Sequence, residues 1–335
     1  MSDTTLHESH AQRERGQRPG SWTRRRAVSA LLAAATALPL GARSQAPAPA
    51  LPLAGLGSTR RLEVLPLVDW FVADPKLRGE AAVSYLVRSD HSTLLFDVGG
   101  NLDGGDPSPL QANMQALGVR LEQIDTLVIS HPHMDHVGGR ELTQRGSFAL
   151  GPRPADLSGQ RIFVPVPLSY PGASPTVVTG PMVLAPGVAT TGPIVGQIFI
   201  GPVAEQALAI RVEGLGIVLV VGCGHQGLQA LLQRTAEMFA EPIHAIVGGL
   251  HFPIPKGRWT MAGMDVQRWA SYGFGPGPTE QEIQRDIDRL QATGLQQIAL
   301  SPHDSSDEMI ERFRREFGAR YRDLRVGEPL RFGAR

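Results

Sequence analysis

The sequence predicts a mixed α/β (α+β) domain, and three observations carry that expectation. Short apolar runs of strand length recur, and several of them end in Gly, Asp or His. Amphipathic stretches with capping residues separate them. The chain has only 10 His in 335 residues, yet His131, His133 and His136 fall in one short run directly after an apolar strand.

Residues 1–22 are polar and charged, without an apolar period. Thr23-Arg24-Arg25-Arg26 then opens an apolar stretch over residues 27–40, too short to span a bilayer. Ser44-x-Ala46 supplies a small-x-small cleavage pattern. The expectation is a twin-arginine signal peptide over residues 1–46, directing the protein to the periplasm or outside the cell. Such systems export folded proteins, so a metal site could fill before export. A Pro/Ala/Leu/Gly-rich linker over 47–60 and one folded domain over 61–335 follow.

The 32 Lys and Arg balance 32 Asp and Glu, and several of the basic residues lie in the expected leader. Nothing in this balance calls for nucleic acid. A lone Cys, Cys223, excludes an intramolecular disulfide. No other segment is long and apolar enough for a membrane span, so no stable membrane insertion is expected after cleavage. The expected partner is a small-molecule substrate, and the oligomeric state is left open.

Arg61–Val68 reads as the first strand. Residues 82–87 and 92–97 read as a hairpin across 88–91, ending in Asp97-Val98-Gly99-Gly100. Asp97 is either a turn aspartate or a carboxylate that orients a ligand His. Ser108-Pro109 caps a helix with Leu110, Met114 and Leu117 on one stripe and Gly118 at its end. The strand over 125–130 then delivers Ser130-His131-Pro132-His133-Met134-Asp135-His136. Three imidazoles and a carboxylate in that spacing suit zinc or a similar divalent ion. His131 and His133 point to one side of a strand end, and after the turn Asp135 and His136 can face a second ion. Two close ions can clamp a substrate oxygen and ionise a water.

Residues 140–205 are rich in Pro and Gly and suggest strands at 161–166 and 197–200, without a readable function. A hairpin over 207–212 and 215–221 ends in Gly222-Cys223-Gly224-His225, before a helix over 228–239. A hairpin-like strand over 243–247 ends in Gly248-Gly249-Leu250-His251. A third, over 296–301, ends in Pro302-His303-Asp304. Three strands that each end in a His are what ligands gathered from one sheet edge require. Thr279-x-x-Glu282 opens a helix, 307–317 is a further amphipathic helix, and 326–331 reads as the last strand.

The run His131-x-His133-x-Asp135-His136 resembles the signature of the metallo-β-lactamase superfamily. That resemblance implies a four-layer αββα sandwich with a dinuclear site at the mouth between the sheets. Gly222-Cys223-x-His225-x-Gly227, Gly248-Gly249-x-His251, Pro302-His303 and Asn113-x-x-x-Leu117-Gly118 are similar to the branch of the dihydropterin-ribofuranosylaminobenzene phosphate synthase-like metal-dependent hydrolases. The similarity runs from about residue 62 to the C-terminus and is weakest across 140–200. Two stretches depart from it. The branch's Ala-Glu-His-Gly-x-Ser is here Gly79-Glu80-Ala81-Ala82-Val83-Ser84, and its terminal His-Cys-Thr-Gly is His303-Asp304-Ser305-Ser306. Both changes touch expected pocket residues, so the branch's pterin substrate does not carry over.

The expected assignment is one ion on His131, His133 and His225 and a second on Asp135, His136 and His303, with zinc first among the candidate metals. Cys223 stands where the superfamily's bridging aspartate is sought, and reads either as a thiolate ligand or as a small buried residue. His251 reads as a competing ligand or a pocket acid/base, and Asp135 and His251 are the expected proton carriers. Residues 254–278, with Trp259, Trp269, Tyr272 and Phe274, read either as a lid over the site or as a surface flap. The expected chemistry is metal-dependent hydrolysis of an ester-type bond. A phosphoester is favoured by the branch resemblance and by Lys256 and Arg258; a lactone or amide is the alternative. A metal-binding protein without turnover, and iron-dependent oxygen or sulfur chemistry, are the rival classes.

Overall fold

The computed structural model describes residues 53–334. The expected leader over 1–46 and the start of the linker lie outside the described residues. Among the described residues, no helix is long and apolar enough to cross a membrane.

The described residues form seventeen strands. A seven-stranded sheet holds β1 (Arg61–Val68), β2 (Ser84–Ser89), β3 (Thr93–Phe96), β4 (Thr126–Val128), β5 (Arg161–Val164), β6 (Thr176–Val177) and, beside β1, β17 (Leu330–Gly333). A six-stranded sheet holds β7 (Met182–Ala185), β8 (Val188–Thr190), β11 (Leu208–Val212), β12 (Gly216–Val221), β13 (Ile243–Gly248) and β16 (Gln297–Leu300). Two ribbons complete the set: β9 (Ile194–Ile198) with β10 (Gly201–Glu205), and β14 (Thr260–Met261) with β15 (Met264–Asp265). The helices are α1 (Pro109–Ala116), α2 (Met134–Val137), α3 (Arg140–Arg145), α4 (Leu228–Met238), α5 (Val266–Tyr272), α6 (Glu280–Ala292) and α7 (Asp307–Phe317).

Side-chain alternation along the strands produces the layering. Val64, Tyr85, Leu94 and Phe96 of the first sheet meet Ile210, Val218, Val220 and Val247 of the second in one buried cluster. The opposite face of β12, Ile217, Leu219 and Val221, packs with Leu231 of α4, Ile287 of α6 and Phe313 of α7. On the far side of the first sheet, Leu86, Leu95 and Leu127 pack with Leu110 and Met114 of α1. Two sheets face each other and helices cover both outer faces, which is the αββα sandwich.

Strand direction places the site. β3 pairs parallel with β4, and β12, β13 and β16 pair parallel in sequence. The C-terminal ends of parallel neighbours share one edge, so the segments after them converge.

The hairpin of β2 and β3, the capped α1, and the capping box of Thr279 and Glu282 on α6 match the expected elements. Three expectations need correction. Residues 199–200 form the turn between β9 and β10 rather than a strand. The run over 243–248 is no hairpin partner: α4 carries the chain across, so it pairs parallel with β12. The last strand is Leu330–Gly333, because it pairs with Arg61–Val64 of β1, while Val326 makes only an isolated bridge to Val72.

Candidate metal centre

β4 ends at Val128, and the chain leaves the sheet through Ser130 and His131. His133 precedes the single turn of α2, and its carbonyl accepts from the His136 N–H at 3.0 Å. Gly138 ends the turn with φ 94°, and a Cβ there would collide with the Ala149 carbonyl. Glycine is therefore required if the turn is to fold back against 147–150.

Two sets of donor atoms result, each with all atoms within 4.8 Å of one another: His131, His133 and His225, and Asp135, His136, Cys223 and His303. In the first, His133 Nδ1 lies 3.1 Å from His225 Nε2. In the second, Cys223 Sγ lies 3.1 Å from both His136 Nε2 and His303 Nε2, and Asp135 Oδ2 lies 3.5 Å from His136 Nε2. The His131 and His136 rings, 4.1 Å apart, join the two sets. His251 belongs to neither set: its ring lies 4.3 Å from that of His225, and both its nitrogens are buried without a partner. Its backbone has φ 60°, with the N–H donated to Asp304 Oδ2 at 2.9 Å.

The electrostatics fit cations that the donors would hold. Burial, then the neighbouring His136, keeps His131 well below the usual imidazole range. Burial, then His251, does the same to His225. Burial, then His136, brings His303 down to about 3. Burial brings His251 down to about 4. These imidazoles are neutral, as ligation requires. The Asp135 carboxyl is pushed up by burial but held below its usual range by His136. Burial pushes the Cys223 thiol up, and a bound cation reverses that logic by deprotonating a coordinating thiol. His131 Nε2 and His225 Nδ1 are buried without hydrogen-bond partners. Orphaned buried nitrogens beside a carboxylate and a thiol fit a divalent ion of the nitrogen- and sulfur-seeking kind.

Residues outside the two sets hold these donors. Asp97, at φ 62°, accepts from the Ser130 N–H and Oγ–H, both at 2.6 Å, and lies 2.7 Å from His136 Nδ1. The orienting reading of Asp97 thus matches its contacts. Asp69, the residue after β1, accepts from the Tyr85 hydroxyl at 2.9 Å, the Ser301 hydroxyl at 2.6 Å and the His303 N–H at 3.1 Å. Burial lifts its carboxyl to about 6 against those hydrogen bonds. Glu205, fully buried at the end of β10, accepts from the N–H groups of Cys223 at 3.0 Å, Gly224 at 2.9 Å and His225 at 2.7 Å. The only linear signal for Ser301 was the shared pattern of a serine closing a strand before a ligand, Ser130-His131 and Ser301-Pro302-His303. Glu205 lay in the segment with no readable function.

One expected pocket cation is elsewhere engaged. The Arg258 side chain is only 8% exposed; it pairs with Asp307 at 2.6 Å, donates to the Pro302 carbonyl at 2.5 Å and to the Ser305 carbonyl, and lies over the Phe71 ring. It braces the turn that bears His303 and is not a free cation for a phosphate. Lys256 is exposed. The segment over 254–278 forms the ribbon of β14 and β15 and the helix α5, with the Tyr272 hydroxyl donating to the His251 carbonyl at 3.2 Å.

The sequence model of the metallo-beta-lactamase superfamily matches residues 77–230. The 7,8-dihydropterin-6-methyl-4-(beta-D-ribofuranosyl)-aminobenzene-5'-phosphate synthase of Methanocaldococcus jannaschii is 22% identical over 180 residues, which are 43% of this chain and 61% of that protein. The chain thus spans less than two thirds of that relative's length. A solved structure of a metal-dependent hydrolase of the beta-lactamase superfamily superposes with TM-score 0.56 at 20% identity, over 82% of this chain and 100% of the other. The metallo-beta-lactamase fold protein YhfI of Bacillus subtilis superposes with TM-score 0.50 at 15% identity, over the same shares of the two chains. At those identities the likeness shows the fold alone. Residues 77–230 thus match the model of the metallo-beta-lactamase superfamily, and the chain is similar to members of that superfamily in fold.

Proposed function

We propose that the chain is an exported metal-dependent hydrolase that cleaves an ester-type bond in a small-molecule substrate. In this reading His131, His133 and His225 hold one divalent ion, and Asp135, His136, His303 and Cys223 hold a second, with zinc as the resident metal. The observation that carries it is the pair of donor sets, joined through His131 and His136, beyond the C-terminal strand ends of the sandwich. Divalent ions there supply Lewis acidity toward a substrate oxygen and lower the pKa of water toward neutrality.

The protein's own part is positioning and proton transfer. Ser130 Oγ, 2.9 Å from His131 Nδ1, fixes that ring and leaves Nε2 for ligation. Asp97 does the same for His136 through Nδ1. His251, neutral and with both nitrogens unpartnered, is placed to take a proton at the pocket side of His225. The Asp135 carboxylate stays ionised and serves as ligand and acceptor. A phosphoester stays within this reading, although Arg258 no longer supports it; lactones and amides are tested beside it.

The test is metal content by mass spectrometry together with turnover on a phosphoester, lactone and amide panel, for wild type, His131→Ala and His303→Ala. About two metals per chain, with partial loss in each variant and turnover lost in both, is expected. Tight metal without turnover on any substrate sinks the hydrolase reading in favour of a metal-binding protein. Export is checked separately, by the N-terminal residue of the secreted protein; an uncleaved leader retained in the cytosol would refute it.

A further inference from the structure

Seven large apolar side chains are exposed among the described residues, and six of them lie on two linked segments. Val195, Phe199 and Ile200 belong to the hairpin of β9 and β10; Met261, Met264 and Phe274 belong to the ribbon of β14 and β15 and the end of α5. They are between 41% and 88% exposed. The segments are joined. The N–H groups of Phe199 and Ile200 donate to the carbonyls of Ser271 and Ala270, at 3.0 and 3.3 Å. The Phe199 and Trp269 rings lie 5.6 Å apart, and a Cβ on Gly273 would come within 2.6 Å of the Phe199 ring.

This surface runs up to the metal centre. Midway along β9, Gly196 packs so closely on the His225 carbonyl that no Cβ would fit. At the other side, Tyr272 holds the His251 carbonyl, and the His251 ring lies beside His225. The exposed apolar stretches are themselves uncharged, and the adjoining Asp265 accepts from the Gly257 and Arg268 N–H groups. Residues 193–204 and 259–264 contain no Asp, Glu, Lys or Arg. The nearby Arg268 donates to the Gly275 carbonyl at 2.6 Å.

We infer that the hairpin and the α5 segment form an apolar shelf for the substrate's hydrocarbon tail, making the substrate an amphiphile with its scissile head at the metal centre. The inference rests on the hydrolase reading for the place of the head group. It adds the class of molecule: an uncharged chain, which the continuity of the shelf with His225 and His251 and its lack of charge both favour. Exposed apolar surface concentrated at one place marks a binding site more often than scattered apolar residues do, and ligand sites combine apolar walls with few polar groups.

The test is calorimetric titration of the metal-loaded protein with unbranched carboxylates from butanoate to dodecanoate. The carboxylate reports the metal centre and the chain reports the shelf. The dissociation constant is expected to fall about two- to fourfold for each added methylene that reaches the shelf. In Phe199→Ser/Phe274→Ser the dependence on chain length flattens while metal content stays. Val195→Ser flattens it in part, and serves if the double variant misfolds. A dissociation constant independent of chain length in the native protein, or a slope unchanged in these variants, overturns the inference. So does sedimentation showing a stable dimer that the same substitutions split, since the shelf would then be an interface between copies. Failure of the hydrolase reading looks different: no ester turnover by the metal-loaded protein, whatever the slope.

Discussion

Asp69 reaches His303 by two routes. Its Oδ1 accepts the His303 N–H at 3.1 Å, and its Oδ2 accepts from Ser301 Oγ at 2.6 Å, which in turn lies 2.5 Å from His303 Nδ1. The first sheet repeats the arrangement, with Asp97, Ser130 and His131 joined at 2.6 and 2.9 Å. Each donor set thus has an imidazole backed by a serine hydroxyl and a carboxylate. The carboxylate behind His303 comes from the other sheet, so the second donor set also ties the two sheets together. Asp69→Asn should weaken metal binding at the Asp135, His136, Cys223 and His303 set about 10- to 100-fold. The His131, His133 and His225 set should keep its affinity. Competition with a graded chelator reads both; equal loss at the two sites would show that Asp69 only supports the fold.

Glu205 fixes the backbone of residues 223–225, and Cys223 and His225 belong to different donor sets. Glu205→Gln puts an amide where three N–H groups need an acceptor. Stability of the metal-loaded protein should fall by about 2 kcal/mol, and both metal affinities should fall together. Urea unfolding and metal titration of the same variant check this. Unchanged metal binding in a folded Glu205→Gln protein would remove Glu205 from the site's support.

Arg258 and Asp307 separate a buried contact from a surface one. Arg258→Met strips donors from the Pro302 and Ser305 carbonyls beneath His303 and should cost about 2–3 kcal/mol. Asp307 is 74% exposed, and Asp307→Ala should cost less than about 1 kcal/mol. Thermal unfolding of the pair decides it; equal losses would mean that the ion pair rather than the carbonyl contacts matters.

Metal removal should destabilise the whole domain. Without cations, burial and the neighbouring His136, His133, His225 and His303 disfavour the charged form of His131. Metal at a thousandfold over its dissociation constant adds about 4 kcal/mol. Calorimetry should show a melting temperature several degrees lower after chelation, restored by zinc. No shift on chelation of fully loaded protein would argue against a metal held by these residues.

Acid should reveal the clamp at the start of β1. The Arg60 N–H at 2.6 Å, then the Arg61 guanidinium at 3.0 Å, hold the Asp90 carboxyl well below its usual range. A folded value below the unfolded one of about 4 means the stabilisation is present above that pH and is lost as pH falls through the folded value. Wild type should therefore exceed Asp90→Asn in urea midpoint at neutral pH, with the gap closing in strong acid. A gap independent of pH would assign it to packing rather than charge.

What the sequence determined by itself is what neighbouring residues dictate. His131, His133, Asp135 and His136 share one strand end and one helical turn, so their convergence is local geometry. His225 and His303 were legible because each follows an apolar run closed by glycine or serine, and parallel strands share an edge. Cap residues located α1 and α6 for the same local reason. Only the tertiary structure decided the rest. Asp69 and Ser301 lie 232 positions apart, and no spacing rule links them. Glu205 lies in a segment without a readable function, and only the end of its strand under the 223–225 turn gives it a role. Arg258 looked like a free cation, and burial against the 302–305 turn made it a brace. The apolar residues of the shelf read as two unrelated segments, and backbone hydrogen bonds between Phe199 and Ser271 made them one surface. Side-chain identity sets what a residue can bind; which partner it meets depends on contacts formed only when distant segments pack.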